Sequence, residues 1–384
     1  MPSDGEVANR RHGYYRTRRL GDGFFMSFSK QNKHEKTMKQ IIIMLVFVLN
    51  VMNMMAQTKI IDSTTKLPVA YAVVYDGKGT VVGQSDESGV VNLKKGTKYS
   101  ISHLGYKSYE TDGFGGEKTI LMSPTSYDLK DVSVEAKRKK YYHVRFYYRI
   151  VEDVNSIMKY YKEGFVDYSV NTKNRKTKLI GNTSRTYVLD SLLKLDVMRS
   201  FMVSDEHLGI PYLDSKSLYE RIVSNKRNTI DDSGNVLCGT DIFGTYVKHE
   251  DSNEAVLSFD GLYPKQRKVL NLFGYTQVFD KFQNTEVFRD DNLGNHSPFD
   301  IKAFSAYRHF TLKHKKEDIA KDINVKDEVF IVCSEYSDEK NKNSFSSITD
   351  EVLDEYRTKY PLEKVLLDHI HKMRRRTNFR RYMG

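Results

Sequence analysis

The amino-acid sequence predicts a mainly β protein in which a small β-sandwich precedes a larger antiparallel α+β domain. Three observations carry that expectation. Residues 57–136 hold six or seven short apolar runs separated by Gly- and Asp-containing turns, the spacing of an all-β sandwich. Beyond the charged run at 135–140, bulky and polar side chains alternate over longer stretches. The main bulky residue is tyrosine, 26 against 20 Phe and no Trp, which suits a pleated, half-buried surface. Hydrophobic residues at 39% and charged residues at 29% are polar for a globular chain but far from a disordered one. Only one long apolar run occurs, which excludes a polytopic membrane protein. Two cysteines exclude a disulfide-dense scaffold and a Cys-rich zinc domain.

The net charge of +11 sits largely at the ends. Residues 1–37 carry eight Lys/Arg against four acids, and the last turns hold Lys372, Arg374, Arg375, Arg376, Arg380 and Arg381. Between them acids and bases interleave, so no basic face for nucleic acid is expected. From Met38 the chain has the layout of a secretory signal peptide. Lys39 precedes an unbroken apolar stretch at 41–49, and Ala56 is a small residue before Gln57. The apolar run stops at Asn50 and Asn53, short of the roughly 20 residues a membrane span needs. Residues 38–56 are therefore expected to be cleaved between Ala56 and Gln57, with residues 1–37 a non-native or disordered prefix. Export to the periplasm or outer membrane follows from that reading.

The sandwich opens on Ile60 and Ile61, then a polar turn at 62–66. Pro68, with fixed φ and no donor, suits the start of the apolar run 69–75. Gly77 and Gly79 supply a hairpin turn before residues 80–82. Asp86 and Gly89 mark a second turn, followed by the run 90–93. Residues 99–102 form a further strand ended by Gly105, and 119–122 and 132–134 complete the set. Pro68, Asp86, Gly89, Gly105 and Tyr106, in that order and with those apolar runs between them, resemble the carboxypeptidase-regulatory-like domain of bacterial cell-envelope proteins. The resemblance implies a transthyretin-like, Ig-like fold over residues 57–136. It implies a non-catalytic module for folding, docking or spacing, and supplies no catalytic residues.

In residues 137–373, strands are expected at 142–151, 164–170, 177–187, 255–259, 269–273, 277–279, 310–313 and 328–333, with turns at 173–174, 181–182 and 260–261. Leu192, Leu195 and Met198 recur at helical spacing, as do Leu218 and Ile222 behind Asp214 as a cap. Residues 349–360 and, past Pro361, a helix with the stripe Leu362, Val365, Leu366, Ile370 and Met373 close the domain.

The chemistry-bearing residues form no catalytic set, and no cofactor is expected. His314 and Glu317 have an H-x-x-E spacing that His369 or His371 would have to complete, but they sit among Lys313, Lys315 and Lys316, which oppose a dication. His369 reads as a core or boundary histidine on the last helix. The acidic pairs Asp231/Asp232, Asp290/Asp291 and Asp338/Glu339 read as surface loops, and residues 290–295 lack EF-hand spacing. Cys238 and Cys333 are expected either as a buried free thiol and its counterpart or as one disulfide. Three functions of different class follow. The first is a non-catalytic envelope protein docking to a transporter or surface complex. The second is a carrier holding an apolar ligand in an open β-barrel-like domain with helices in its mouth, and the third a peptide or glycan hydrolase. Residues 374–384, where Met373, Phe379 and Tyr382 flank the arginines, are expected to be a free basic tail drawn to an anionic membrane surface.

Overall fold

The computed structural model describes residues 55–127, 139–189, 209–265, 267–272, 274–290, 296–340 and 348–376. From Ala56 onward the chain forms one compact unit. The leader, the strand expected at 132–134, the helix carrying Leu192, Leu195 and Met198, and residues 377–384 lie outside the described residues.

Seven strands build the sandwich: β1 (Met55–Asp62), β2 (Val73–Asp76), β3 (Val81–Gln84), β4 (Val90–Lys94), β5 (Tyr99–Ser102), β6 (Tyr109–Thr111) and β7 (Thr119–Met122). One sheet runs β4-β1-β7, with β1 and β7 parallel, and the other runs β3-β2-β5-β6. Inward side chains from both sheets, among them Ile60, Val74, Leu93, Ile101, Ile120 and Met122, share one core. The turns follow the predicted chemistry. Asp86 Oδ1 accepts from the amides of Ser88 and Val90, and Gly89 takes φ +76° where a Cβ would meet the Ile60 carbonyl at 2.5 Å. Two details differ from expectation. Pro68 makes only an isolated bridge to Ile61, and β2 starts at Val73, because Tyr71 takes φ +63° and bends the run. Ala56 and Gln57 lie within β1.

The larger part is a sheet of twelve strands, all paired antiparallel. They are β8 (Tyr141–Val154), β9 (Ile157–Asn171), β10 (Thr177–Val188), β11 (Asn228–Ile230), β12 (Asn235–Cys238), β13 (Asp241–His249), β14 (Glu254–Asp260), β15 (Lys268–Leu272), β16 (Tyr275–Arg289), β17 (Ile301–His314), β18 (Lys321–Ser337) and β19 (Arg374–Arg375). The spatial order is β11-β12-β13-β14-β16-β17-β18-β8-β9-β10-β19, with β15 added as a finger on β16. Among the described residues, three α-helices accompany it: α1 (Leu218–Ser224), α2 (Asp350–Lys359) and α3 (Lys364–Ile370).

Both faces of this sheet carry apolar side chains, which is why β8 is buried along nearly its whole length. One face places Val144, Phe146, Tyr148 and Ile150 of β8 with Ile323, Val325, Val329 and Ile331 of β18 in the largest core, against Leu213 and Ile222. The other face receives the sandwich, α2 and α3. Leu104 and Tyr360 pack with Tyr147, Phe165 and Phe330, and Val73 and Tyr75 pack with Val151, Tyr161, Leu366 and Ile370. The sandwich is thus part of the same body as the sheet.

Several local expectations are corrected. Gly181 and Asn182 are not a turn but lie inside β10, where a bulge after Leu179 keeps the pairing with β9. The cap of α1 is Ser217, whose hydroxyl accepts from the Glu220 amide, while Asp214 instead pairs with Arg221. The basic tail is not free from its first residue. Arg374 and Arg375 form β19 on the edge of β10, Arg375 lies 2.5 Å from Asp350, and the Arg376 amide donates to the Thr186 carbonyl.

Candidate functional site

A cavity of about 530 Å³ opens on the first face of the sheet. Its floor is set by the two-residue periodicity of three strands. Phe282, Asn284 and Glu286 of β16, Phe304 and Ala306 of β17 and Asp327 of β18 all point into it. Its walls come from Phe243, Phe259 and Tyr263, and its roof from residues 211–222. That roof is tied down at both ends. Tyr168 donates to the Pro211 carbonyl at 2.6 Å, and the Leu218 amide donates to Glu286 at 2.8 Å. Helix α1 also touches the β9–β10 turn through Arg175 and Glu220 at 2.6 Å, and β13 and β16 through the tilted contact of Tyr219 with Tyr246 and its edge-to-face contact with Phe288. The sheet therefore coils round the helix, which lies across the opening.

Acidic side chains outnumber basic ones in the cavity lining. Burial pushes the Glu286 carboxyl up to about 8, against the pull of the Leu218 amide and Arg221. Burial also raises Asp327, although Arg308 beside it acts in the opposite sense. Asp327 Oδ1 and Arg308 Nε are buried without hydrogen-bond partners among the described residues. Asp260 is raised by burial as well. An aromatic-walled space with neutral or partly neutralised carboxyls offers van der Waals contact to an apolar body and hydrogen-bond acceptors to a donor group.

A second cavity of about 440 Å³ lies between the sandwich and the opposite face. Three of its buried charges pair with one another: Arg149 contacts Glu328 at 2.6 Å, and Lys326 contacts Glu328 at 2.9 Å and the Ser102 hydroxyl at 2.7 Å. Burial would raise Glu328, but Arg149 and Lys326 outweigh it and hold the carboxyl at about 2. This is a structural ion network. The same holds where histidine meets serine. His103 Nδ1 accepts from the Gly105 amide, so its Nε2 carries the proton and donates to Ser258 Oγ at 3.1 Å, the wrong tautomer for a general base. Burial, then Lys326, depresses His103 to about 3.

The residues singled out from sequence fall as follows. Gly105 and Tyr106 sit at the junction with the sheet: Tyr106 donates to Asp62 Oδ2 at 3.0 Å, and that oxygen also contacts His249 Nε2 of β13 at 2.5 Å. His314 and Glu317 bond each other's turn, with the His314 amide donating to Glu317, and no group of three metal-ligating side chains occurs among the described residues. His369 is half-buried, as expected of a boundary position, and His371 is exposed. Asp231 caps a turn and Asp338 pairs with Lys139 at the surface. Asp290 departs from expectation: it is buried and pairs with Lys248, not exposed in a loop. Asp291 and the rest of the calcium-like stretch lie outside the described residues. Both cysteines are free, and Cys333 is exposed rather than buried, because the β18 bulge opposite Arg145 turns it outward. Sequence reasoning missed Glu286 and Asp327, because the expected strands ended at 279 and began at 328 and left both residues unassigned.

No known protein family matches the chain, and no characterised protein sequence matches it. Among solved structures, one described as lipid-protein interactions in lipovitellin aligns with 55% of this chain and 26% of its own at 8% identity and a TM-score of 0.26. The chain thus spans about a quarter of that structure's length.

Proposed function

We propose that this protein is an exported, non-catalytic binding protein of the cell envelope whose ligand has a mainly apolar body and one hydrogen-bond-donating group. The observation that carries the reading is the cavity beneath α1, where Phe243, Phe259, Phe282 and Phe304 surround Glu286 and Asp327. Its volume falls within the range of roughly 300–1,000 Å³ usual for small-molecule sites. Export rests on the segment at 38–56, and recovery of a mature N-terminus at Gln57 by mass spectrometry would support it. Docking to another envelope component is a second reading, which rests on the resemblance of residues 57–136 to an envelope module.

The ligand reading is tested with a dansyl-labelled long-chain amine. Binding should enhance dansyl emission, and Asp327→Asn should weaken it by about tenfold, the loss of one charge-assisted hydrogen bond. Ala306→Trp, which fills the cavity, should abolish it with far-UV dichroism unchanged. Equal binding by Ala306→Trp and wild type would overturn the assignment.

A further inference from the structure

The register of the sheet brings three hairpin ends to one side of the molecule. Leu272 pairs with Tyr275 at the β15–β16 turn, Tyr275 pairs with His314 where β17 turns toward β18, and Ile323 pairs with Val154 beside the β8–β9 turn. Each end presents an aliphatic side chain to solvent: Leu272 is 65% exposed, Ile319 82% and Ile157 54%. The β15–β16 hairpin goes furthest. Every residue of β15 is exposed, including Val269 and Leu270, and only one of its edges is paired.

The charge on the β15–β16 hairpin has one sign, whereas at the turn carrying Ile319 the cations stand beside Glu317 and Asp318. Residues 261–279 contain Lys265, Arg267 and Lys268 and no acid. Lys268 opens β15 four residues behind Leu272, about 13 Å at 3.3 Å per residue. Lys313, Lys315 and Lys316 are exposed at the neighbouring turn. Apolar tips with cations set back along the shaft match a bilayer interface, where aliphatic side chains enter the acyl boundary and Lys/Arg remain at the phosphate level. A second copy of the chain pairing edge to edge along β15 is the competing occupant, and it would bind in proportion to protein concentration rather than to anionic lipid. The unpaired backbone edge limits insertion to the tip, since hydrocarbon cannot satisfy it.

We infer that these hairpin ends, led by Val269, Leu270 and Leu272, dock the protein on an anionic lipid surface. The finger rises from the cavity rim at Gly261, Tyr263 and Phe282, so docking would bring the cavity to the bilayer. The docking does not depend on the ligand reading.

A local probe separates this contact from binding through the apolar leader or the basic tail. In the full chain with Cys238→Ser and Cys333→Ser, Leu272→Cys is labelled with an environment-sensitive fluorophore, and Leu121→Cys serves as an exposed control on the sandwich. With phosphatidylcholine vesicles containing about 30% phosphatidylglycerol, the label at 272 should shift to the blue and the label at 121 should not. Adding Arg267→Glu and Lys268→Glu should raise the lipid concentration needed by at least about tenfold. Absence of a shift at 272, an equal shift at 121, an equal shift with phosphatidylcholine alone, or a shift without vesicles that follows protein concentration would each overturn the inference.

Discussion

Glu286 shows how a single side chain ties stability to ligand chemistry. Its carboxyl titrates at about 8 because burial disfavours the anion more than the Leu218 amide and Arg221 favour it. In the unfolded chain the same group titrates near its ordinary value of 4.5. Between those two values the folded protein holds a proton that the unfolded chain releases, so this residue's contribution falls as pH rises through the window and is constant above it. The cost is on the order of a few kcal/mol. Glu286→Gln keeps the acceptor for Leu218 and removes the titration. Urea unfolding of this variant should lose part of the decline in stability between about pH 5 and 8 that wild type shows. Identical slopes would show that Glu286 is ionised in the fold. Asp153, raised to about 7 by burial and by Glu152 and Asp76, acts in the same sense and stays as background. His103 acts oppositely: its neutral form is the folded one, so its contribution is lost as pH falls from 6.5 toward about 3.

At the scale of elements, the turn after β5 is what joins sandwich to sheet. Gly105 has an ordinary φ, so its need for glycine is one of space: a Cβ there would stand 2.9 Å from both methyls of Val256 in β14. Valine is stiff at χ1 and cannot swing away cheaply. Gly105→Ala should therefore destabilise by about 1–3 kcal/mol in urea titration, and Val256→Ala in the same chain should recover part of that loss. This turn also marks how far the sequence could be read. The strands were legible because alternation and Asp–Gly punctuation are local, and the turn at Asp86 and Gly89 forms as its residue types dictate. That Gly105 packs against a residue 151 positions away was not legible, since a close approach leaves no local signal. The same reason hid the cavity. Glu286 ends the polar run 283–286 and Asp327 stands between Lys326 and Glu328, so neither is singled out locally, and only the pairing of β16, β17 and β18 brings them to one space.

For the molecule as a whole, the issue is whether sandwich and sheet are separable. The charged run at 135–140 suggested a boundary, yet the polar groups between the two are buried and shared. Asp62 accepts from Thr64, Thr65 and Tyr106 while contacting His249 across the junction. Burial would raise this carboxyl, but His249 and the two amides outweigh it and hold it below its ordinary value. Lys326 bonds Ser102, the Tyr127 amide donates to Glu254, and Tyr71 donates to the Phe243 carbonyl. Separating the bodies would exchange these hydrogen bonds to charged groups for bonds to water, at a net cost of about 1.5–3 kcal/mol each. Apolar contact through Leu104, Val73 and Tyr75 adds to that penalty. Neither body gains by unfolding alone. Thermal unfolding followed by near-UV tyrosine dichroism and by far-UV dichroism should give one coincident transition, as expected of a single cooperative unit. Asp62→Ala should lower that midpoint without splitting it. Two resolved transitions in wild type would mean that the junction is weak and that the sandwich moves as a module of its own.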